Sequence, residues 1–457
     1  MMNGLKTPAR LLLLAGFLMI THFGRAQSTT LSLQDALQYA LQHSLDLRSA
    51  ALDVANGEYQ IAETRSRALP QVSATGNLTD QYKKQRFILD GALAGQPGET
   101  VAIESGTTWS ANAGINVSQT IFDQSVFTAL KASRAAQDFY RLSYDLAEEQ
   151  IIEIVANSYY QVLVQRQKLG VIDSNLVNTQ KTYNIINNLL ENGLARKIDL
   201  DRTAVGMSNL KTQRQQLLNG IEQLENQLKF YMGMPLDTEI ELPSAEFDEL
   251  AGRAEVVDIS TGANFTNRLS YQVLEQQANL LKYQKEAYKA EYYPSLSFTG
   301  NYSIMGVSDQ FVLFRGENRG ANWFGFGSIG LNLRVPIYNG RATRARLDQA
   351  EVSIQKNALD LRRTTQQLEL ADANARTQIY NTQLTLENQQ ENVELAQQVY
   401  ENTENNYHNG LATLTDLLDA QNTLTQAQNN YATTLLDYRL AEIQLIKSQG
   451  NLKSLLN

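Results

Sequence analysis

Four stretches of the chain alternate strictly between apolar and polar residues, with the period of two that indicates β-strands. They cover residues 71–79, 111–121, 295–304 and 328–337. Each is long enough to cross a bilayer as a tilted strand, which takes about 9–11 residues. One apolar and one polar face per strand is typical of a transmembrane barrel with a lipid face and a wet lumen. The edge of a soluble β-sandwich would permit the same alternation.

Large aromatic residues flank these stretches, where interfacial belts belong: Trp109, Tyr292, Tyr293, Trp323, Phe324 and Phe326. Four strands cannot close a barrel, and an open sheet edge is not tolerated in lipid. The chain must therefore pool strands with copies of itself. About eight strands make a barrel filled by side chains, so a conducting pore favours three copies and twelve strands over two copies.

The segments behind the strand pairs read as unusually long helices. None of the seven prolines lies between Pro97 and Pro235 or after Pro336, and residues 341–409 contain neither glycine nor proline. A continuous helix of that length spans on the order of 100 Å. After the second NGLA phrase, at 409–412, two rows of residues alternate at spacings of three and four, as in a coiled-coil seam. The row of large side chains is Leu417, Leu424, Tyr431, Tyr438 and Leu445, and the row of small side chains is Ala420, Ala427, Thr434, Ala441 and Ser448. The same spacing runs through 200–231, broken only by Arg214.

Short phrases recur along the chain. LPQVSATGN at 69–77 matches YPSLSFTGN at 293–301, AGINVSQTIFD at 113–123 matches IGLNLRVPIYN at 329–339, and NGLA occurs at 192–195 and 409–412. Because the spacings are nearly equal, they indicate a duplicated unit. We predict a first repeat at 27–231, a linker at 232–265 and a second repeat at 266–457. Each repeat reads helix, strand, loop, strand, long helix, turn, long helix, which predicts a mainly α fold with a transmembrane β-barrel.

The N-terminus reads as a signal peptide at 1–26. Lys6 and Arg10 precede the apolar run LLLLAGFLMI at 11–20, and Gly24 and Ala26 suit a cleavage site. Ten apolar residues are too few to span a bilayer as a helix, although a retained anchor is the alternative. The chain has no cysteine, which excludes disulfides, thiolate metal sites and a lipid-bearing cysteine.

Charge and composition exclude several functions. The formal net charge is −9, and it becomes more negative when the signal leaves, which argues against a nucleic-acid partner. His43 and His408 lack the spaced partners of a metal or catalytic site. The motif GxGxxG at 325–330 opens a predicted strand instead of a helix, so it does not predict nucleotide binding. We therefore expect no catalytic, cofactor or metal site, and no enzyme.

The duplication, the paired strands and the tips NGLARKIDL (192–200) and NGLATLTDLLDAQ (409–421) together resemble the TolC-type outer-membrane efflux family over 30–457. The resemblance implies a homotrimer with a 12-stranded barrel in outer-membrane lipid, on a long periplasmic α-helical coiled-coil barrel. Residues 232–265 would form a belt of short elements around its waist. The implied function is a passive exit duct of a tripartite efflux or type I secretion system.

In that family the duct opens when a periplasmic adaptor and an inner-membrane pump, of the RND or ABC type, engage it. Alternatives are a periplasmic coiled-coil adaptor or structural protein, which needs one long hairpin and no lipid-facing strands, and an exported enzyme.

The resemblance also assigns residues. It implies adaptor docking at Gly193, Leu194, Gly410 and Leu411, and a periplasmic gate of Asp199, Asp416, Asp419 and Tyr407. Two alternatives stay open: an aspartate in the first turn of a helix favours the macrodipole as a cap, and Tyr407 could serve packing only. Where some members carry an arginine after the tip glycine, this chain has Ala412, and Arg196 and Lys197 are the candidates to replace it.

Overall fold

The computed structural model describes residues 30–90, 98, 100–243, 265–312 and 320–456. The predicted signal peptide and most of the predicted linker lie outside these residues. The elements follow the predicted order: α1 (Leu33–His43), α2 (Leu45–Ser66), β1 (Gln71–Asp80), β2 (Gln85–Asp90), β3 (Thr100–Ser105), β4 (Trp109–Phe122), α3 (Gln124–Glu191), α4 (Lys197–Met232), α5 (Leu269–Ala290), β5 (Ser295–Ser308), β6 (Asn322–Arg334), α6 (Ala342–His408) and α7 (Leu414–Gln449). Short 3-10 helices occupy Phe265–Asn267 and Leu452–Leu456.

The two predicted repeats contain helices of equal length. Helices α2 and α5 have 22 residues each, and α4 and α7 have 36 residues each. Both of the latter end at a left-handed glycine, Gly233 and Gly450, because glycine has no Cβ to oppose that conformation. The two repeats therefore share their helix lengths and their stop signals.

Strands β1, β4, β5 and β6 form one antiparallel sheet in that order, with β1 and β6 at its edges. The register aligns an apolar row, Val72, Val117, Gly300 and Ile329, and beside it a polar row, Ser73, Asn116, Asn301 and Ser328. Directly opposed residues project to the same face of a sheet. The alternation predicted for each strand is thus confirmed, and the predicted apolar positions of all four strands lie on one common face.

The last strand differs from the prediction of 328–337, since β6 spans Asn322–Arg334. Pro336 has no N–H to donate to a ladder, so the strand stops before it. Trp323, Phe324 and Phe326 consequently lie within β6 and do not flank it. Trp323 shares the apolar face, whereas Phe324 and Phe326 share the polar face. The glycines of 325–330 also lie inside this strand, away from any helix start.

The loop predicted between the first two strands contains a further hairpin, β2 and β3. Its apolar residues Phe87, Ile88 and Leu89 are contiguous, so the alternation that marks a strand is missing. An exposed ion pair joins Arg86 to Glu104 at 2.7 Å. The hairpin lies at the end of the sheet opposite the long helices.

Helices α3 and α6 have 68 and 67 residues, so each is about 100 Å long. Helix α3 packs against α4 as the first hairpin, and α6 packs against α7 as the second hairpin. The predicted seam is confirmed, since Leu417, Leu424, Tyr438 and Leu445 are buried. Arg214 interrupts the apolar spacing of α4 because it pairs with α3: the Arg214 Nε donates to Asp173 Oδ1 at 2.6 Å.

The main core lies about halfway along the hairpins, where α1, α3, α4, α6 and α7 meet. Tyr159 and Tyr438 are fully buried there, and the Tyr159 hydroxyl donates to the Leu31 carbonyl at 2.9 Å. A parallel bridge between Thr30 and Glu241 ties the N-terminus to the segment after α4. Among the described helices, none has the length and hydropathy needed to cross a bilayer.

Candidate functional site

The first hairpin turns at a glycine cap between α3 and α4. Gly193 adopts φ +74°, its N–H donates to the Leu190 carbonyl at 2.9 Å, and the Leu194 N–H donates to the Leu189 carbonyl at 2.8 Å. This pair of bonds is a Schellman motif, which satisfies carbonyls that the helix end leaves free. The turn predicted at this position is confirmed.

The second hairpin repeats the same geometry. Gly410 also has φ +74°; its N–H donates to the Tyr407 carbonyl at 3.0 Å, and the Leu411 N–H donates to the Asn406 carbonyl at 2.8 Å. Both cap leucines project into solvent, with Leu194 77% and Leu411 79% exposed. The two tips thus present a matched pair of exposed leucines.

Helix α7 begins with a capping box. Thr413 Oγ1 accepts the Asp416 N–H at 3.2 Å, while Asp416 Oδ2 accepts the Thr413 N–H at 2.9 Å and its hydroxyl at 2.6 Å. Hydrogen bonds from the Thr413 hydroxyl and amide lower the pKa of the Asp416 carboxyl. Asp416 therefore caps α7, which leaves a gating role untested, and the lowered pKa favours its charged form.

Helix α4 begins differently at the equivalent position. Its N-cap residue Arg196 makes no side-chain cap, but its Nε and Nη2 bind the two carboxylate oxygens of Asp199 at 3.0 and 3.2 Å. Arg196 is thereby engaged within its own hairpin. Lys197 is an exposed neighbour, and whether either residue replaces the arginine missing at Ala412 stays a prediction.

Tyr407 brings the two hairpins together. It is half-buried at the end of α6 and packs against the cluster that contains Tyr400 and Leu417. Burial, followed by the negative charge of Asp199 on α4, raises the pKa of Tyr407. Two of the predicted gate residues, one from each repeat, thus lie within electrostatic range of each other.

Sequence reasoning missed Arg202. Aligned on the two NGLA phrases, Arg202 in the first repeat stands where Asp419 stands in the second, and both residues line one cleft between α4 and α7. Arg202 Nη1 donates to Thr415 Oγ1 at 2.8 Å, which joins the hairpins close to their tips. Alignment of the repeats would have revealed this cation beside the acidic tip.

A buried polar cluster behind the tips was also missed. Gln421 Nε2 on α7 donates to Asn175 Oδ1 and to Thr179 Oγ1 at 3.1 Å, both on α3. Asn175 Nδ2 donates to Thr425 Oγ1 at 2.8 Å. Opening this cluster would leave buried polar groups unpaired, and each unpaired group costs about 1–3 kcal/mol of stability. It fixes the position of the second hairpin against the first.

In the part of the chain that the structure describes, no group of three or more histidine, cysteine, aspartate or glutamate residues could hold a metal ion. His43 and His408 are exposed. The His43 ring stacks on Tyr39 at 4.1 Å, and the His408 ring lies 6.2 Å from that of Tyr407.

The tips, the paired long hairpins and the four-stranded sheet occur together in one known family. The family model of outer membrane efflux proteins matches residues 36–234 and 265–451. The chain belongs to this family. The channel therefore lies in the cell outer membrane and extends into the periplasm, and it serves efflux, as its relatives do.

Known relatives cover most of the channel. It is 26% identical over 432 residues to the probable efflux pump outer membrane protein TtgC of Pseudomonas putida, covering 92% of this chain and 83% of TtgC. It is 24% identical over 430 residues to the cation efflux system protein CusC of Escherichia coli, covering 90% and 84%. Both relatives are transport proteins by their names.

Solved structures share the fold. VceC of Vibrio cholerae superposes with a TM-score of 0.68 at 18% identity, covering 92% of this chain and 96% of that one. The CmeC outer membrane channel of Campylobacter jejuni gives 0.71 at 17% identity, covering 92% and 85%. At such identities the likeness establishes the fold.

Proposed function

We propose that three copies of the channel assemble into a 12-stranded barrel on a long α-helical duct. The observation that carries this proposal is the common apolar face of the sheet, in register across four strands whose edges, β1 and β6, are open. In lipid every backbone polar group must be paired. Pairing of β6 with β1 of the next copy satisfies both edges and turns the polar face toward a wet lumen.

The long hairpins continue this lumen away from the membrane. Helix α3 starts two residues after β4 and ends about 100 Å away at the Gly193 turn. The tips are thus the part of the channel farthest from the outer membrane. We propose that a periplasmic adaptor docks on Gly193, Leu194, Gly410 and Leu411, and that an inner-membrane pump of the RND or ABC type drives cargo through it. TtgC, described as an efflux pump protein, supports this assignment.

We propose further that the tips close the duct at rest. Asp416 and Asp419 lie one turn apart on α7, both exposed, and Asp199 approaches Tyr407 from the other hairpin. Around a threefold axis these carboxylates form rings in a narrow aperture, and like charges in a constriction focus the field and attract cations. Tyr407, the Arg202–Thr415 bond and the Gln421 cluster hold the second hairpin in place until the adaptor engages.

The proposed assembly predicts the particle size. In detergent the mature protein should run as a trimer, because a free protomer would expose two open sheet edges to the apolar solvent. Light scattering coupled to size-exclusion chromatography measures the protein mass of the particle. A stable monomer with intact strand content would contradict the barrel.

The proposed gate predicts block by a multivalent cation. We expect Asp416→Asn/Asp419→Asn channels in planar bilayers to need a roughly tenfold higher La³⁺ concentration for half-block from the periplasmic side, because the local cation concentration falls with the ring charge. Single-channel recording measures this directly.

Two further variants distinguish a gating role of the tip aspartates from a capping role. Asp419→Asn alone removes a charge without touching the Thr413 capping box, so it should weaken the block by itself. Asp360→Asn on α6, exposed and far from the tips, should leave the block unchanged. If the carboxylates serve as caps only, Asp416→Asn loses about 0.5–2 kcal/mol of local helix stability and no variant changes the block.

A further inference from the structure

We infer that Phe324 and Phe326 form an aromatic binding site on the lumen wall of the channel, and that it takes ring-bearing organic cations. The inference rests on the proposed trimeric duct, in which the polar face of the sheet lines the lumen. The continuous register of β5 and β6 opposes Phe324 to Met305 and Phe326 to Ser303. Strand alternation puts both phenylalanines on the face of Ser328.

The two rings form a pair that the protomer leaves open. Their centroids are 6.3 Å apart with the planes tilted by 35°, and Phe324 is 49% and Phe326 46% exposed. Opposite them, Ser303 is buried and Met305 is half-buried, while about half of each phenylalanine stays exposed. An apolar pair of this kind on a water-filled wall is costly unless something contacts it.

Aromatic residues on the opposite face are used differently. The Trp323 ring occupies the space above Gly306, and the Tyr302 ring lies over Gly325 and Gly327. These rings cover glycines and thereby complete the apolar face that meets lipid. Neither Phe324 nor Phe326 is among the atoms nearest to a described glycine, so they do not fill a glycine gap in this way.

The neighbouring copy does not bury the pair either. In the closed barrel β6 adjoins β1 of the next copy, and the outer half of that strand presents Thr75, Asn77 and Thr79 on the same face. These side chains are short and polar. Three phenylalanine pairs therefore remain open at one level of the lumen, near the end of the sheet away from the helices.

The surrounding charges define the ligand. The face of an aromatic ring attracts cations, and the proposed carboxylate rings at the tips admit cations to the duct. Arg334 shares the lumen face, but it lies eight to ten residues along β6, about 26–33 Å away. That distance exceeds the screening length of about 8 Å at physiological salt. An organic cation with aromatic rings matches both the stacking surface and the charge.

Tetraphenylphosphonium and tetraethylammonium carry the same charge, and only the former has aromatic rings. Both are added to the barrel side of channels in planar bilayers. Tetraphenylphosphonium should reach half-block at a concentration about fivefold lower than tetraethylammonium. Phe324→Ser/Phe326→Ser should abolish this difference. Phe324→Tyr/Phe326→Tyr, which keeps the rings, should retain it, and so should Asn332→Ser on the same face.

If the ratio of the two half-block concentrations is unchanged in Phe324→Ser/Phe326→Ser, the aromatic site is overturned. Conducting trimers of that variant would still support the proposed duct. Absence of trimers or conductance overturns the proposed function, and the site with it. Labelling tests the face independently, since the chain has no cysteine of its own. In proteoliposomes a water-soluble maleimide should label Phe326→Cys and spare Ile329→Cys on the apolar face; the reverse pattern overturns the site even if the serine variant fails to assemble.

Discussion

Leu331→Arg should remove most of the assembled channel from the outer membrane. Leu331 lies on the apolar face of β6 opposite Phe298 and is 68% exposed in the protomer. An arginine on the lipid face costs about 2–4 kcal/mol near the bilayer midplane, and a trimer bears that cost three times. Heat-modifiable trimer bands from outer-membrane fractions, compared at equal total expression, measure the loss.

Arg334→Ala is the matched control on the same strand. Arg334 opposes Ser295 on the polar face, so the change removes a lumen charge and leaves the lipid contact intact. Trimer yield should stay at the parent level, and only conductance should shift. If Arg334→Ala abolished assembly and Leu331→Arg did not, the assignment of the two faces would be wrong.

Glu149→Ala should be the most destabilising single change among the ion pairs. Arg268 precedes α5, and its Nη2 donates to Glu149 Oε1 on α3 at 2.8 Å with both side chains buried. Within the described residues the Nε and Nη1 of Arg268 have no hydrogen-bond partner. Loss of Glu149 leaves the buried charge of Arg268 unpaired, which should lower the free energy of unfolding by about 3–5 kcal/mol. Denaturant titration followed by helical circular dichroism measures the shift.

A second substitution tests the cause. Glu149→Ala/Arg268→Met removes the stranded charge and keeps its volume, so it should recover most of the lost stability. Glu104→Ala breaks an exposed pair with Arg86 and should cost only about 0–1 kcal/mol. Equal destabilisation in the single and double variants would show that packing around Glu149, and not the charge of Arg268, sets the cost.

The elements of the fold were readable because their signals are local. Alternation along 71–79 and 295–304 predicts strands that the structure confirms, since side chains of a strand project to opposite faces whatever the partner. The absence of proline and glycine over 341–409 predicts α6 for a similar reason. Predictions failed where the pattern was ambiguous: the contiguous Phe87–Leu89 run concealed β2, and the end of β6 depended on Pro336.

The sequence by itself determined the duplicated unit, the four alternating strands, the long helices and their Asn-Gly turns, because each depends on residues close together in the chain. Only the tertiary structure decided which residues of different elements meet. It brought Asp199 within electrostatic range of Tyr407 across two hairpins, paired Arg202 with Thr415, and buried Gln421 against Asn175. It also placed Phe324 and Phe326 on the polar face. Such contacts depend on strand register and helix packing, which distant parts of the chain set together.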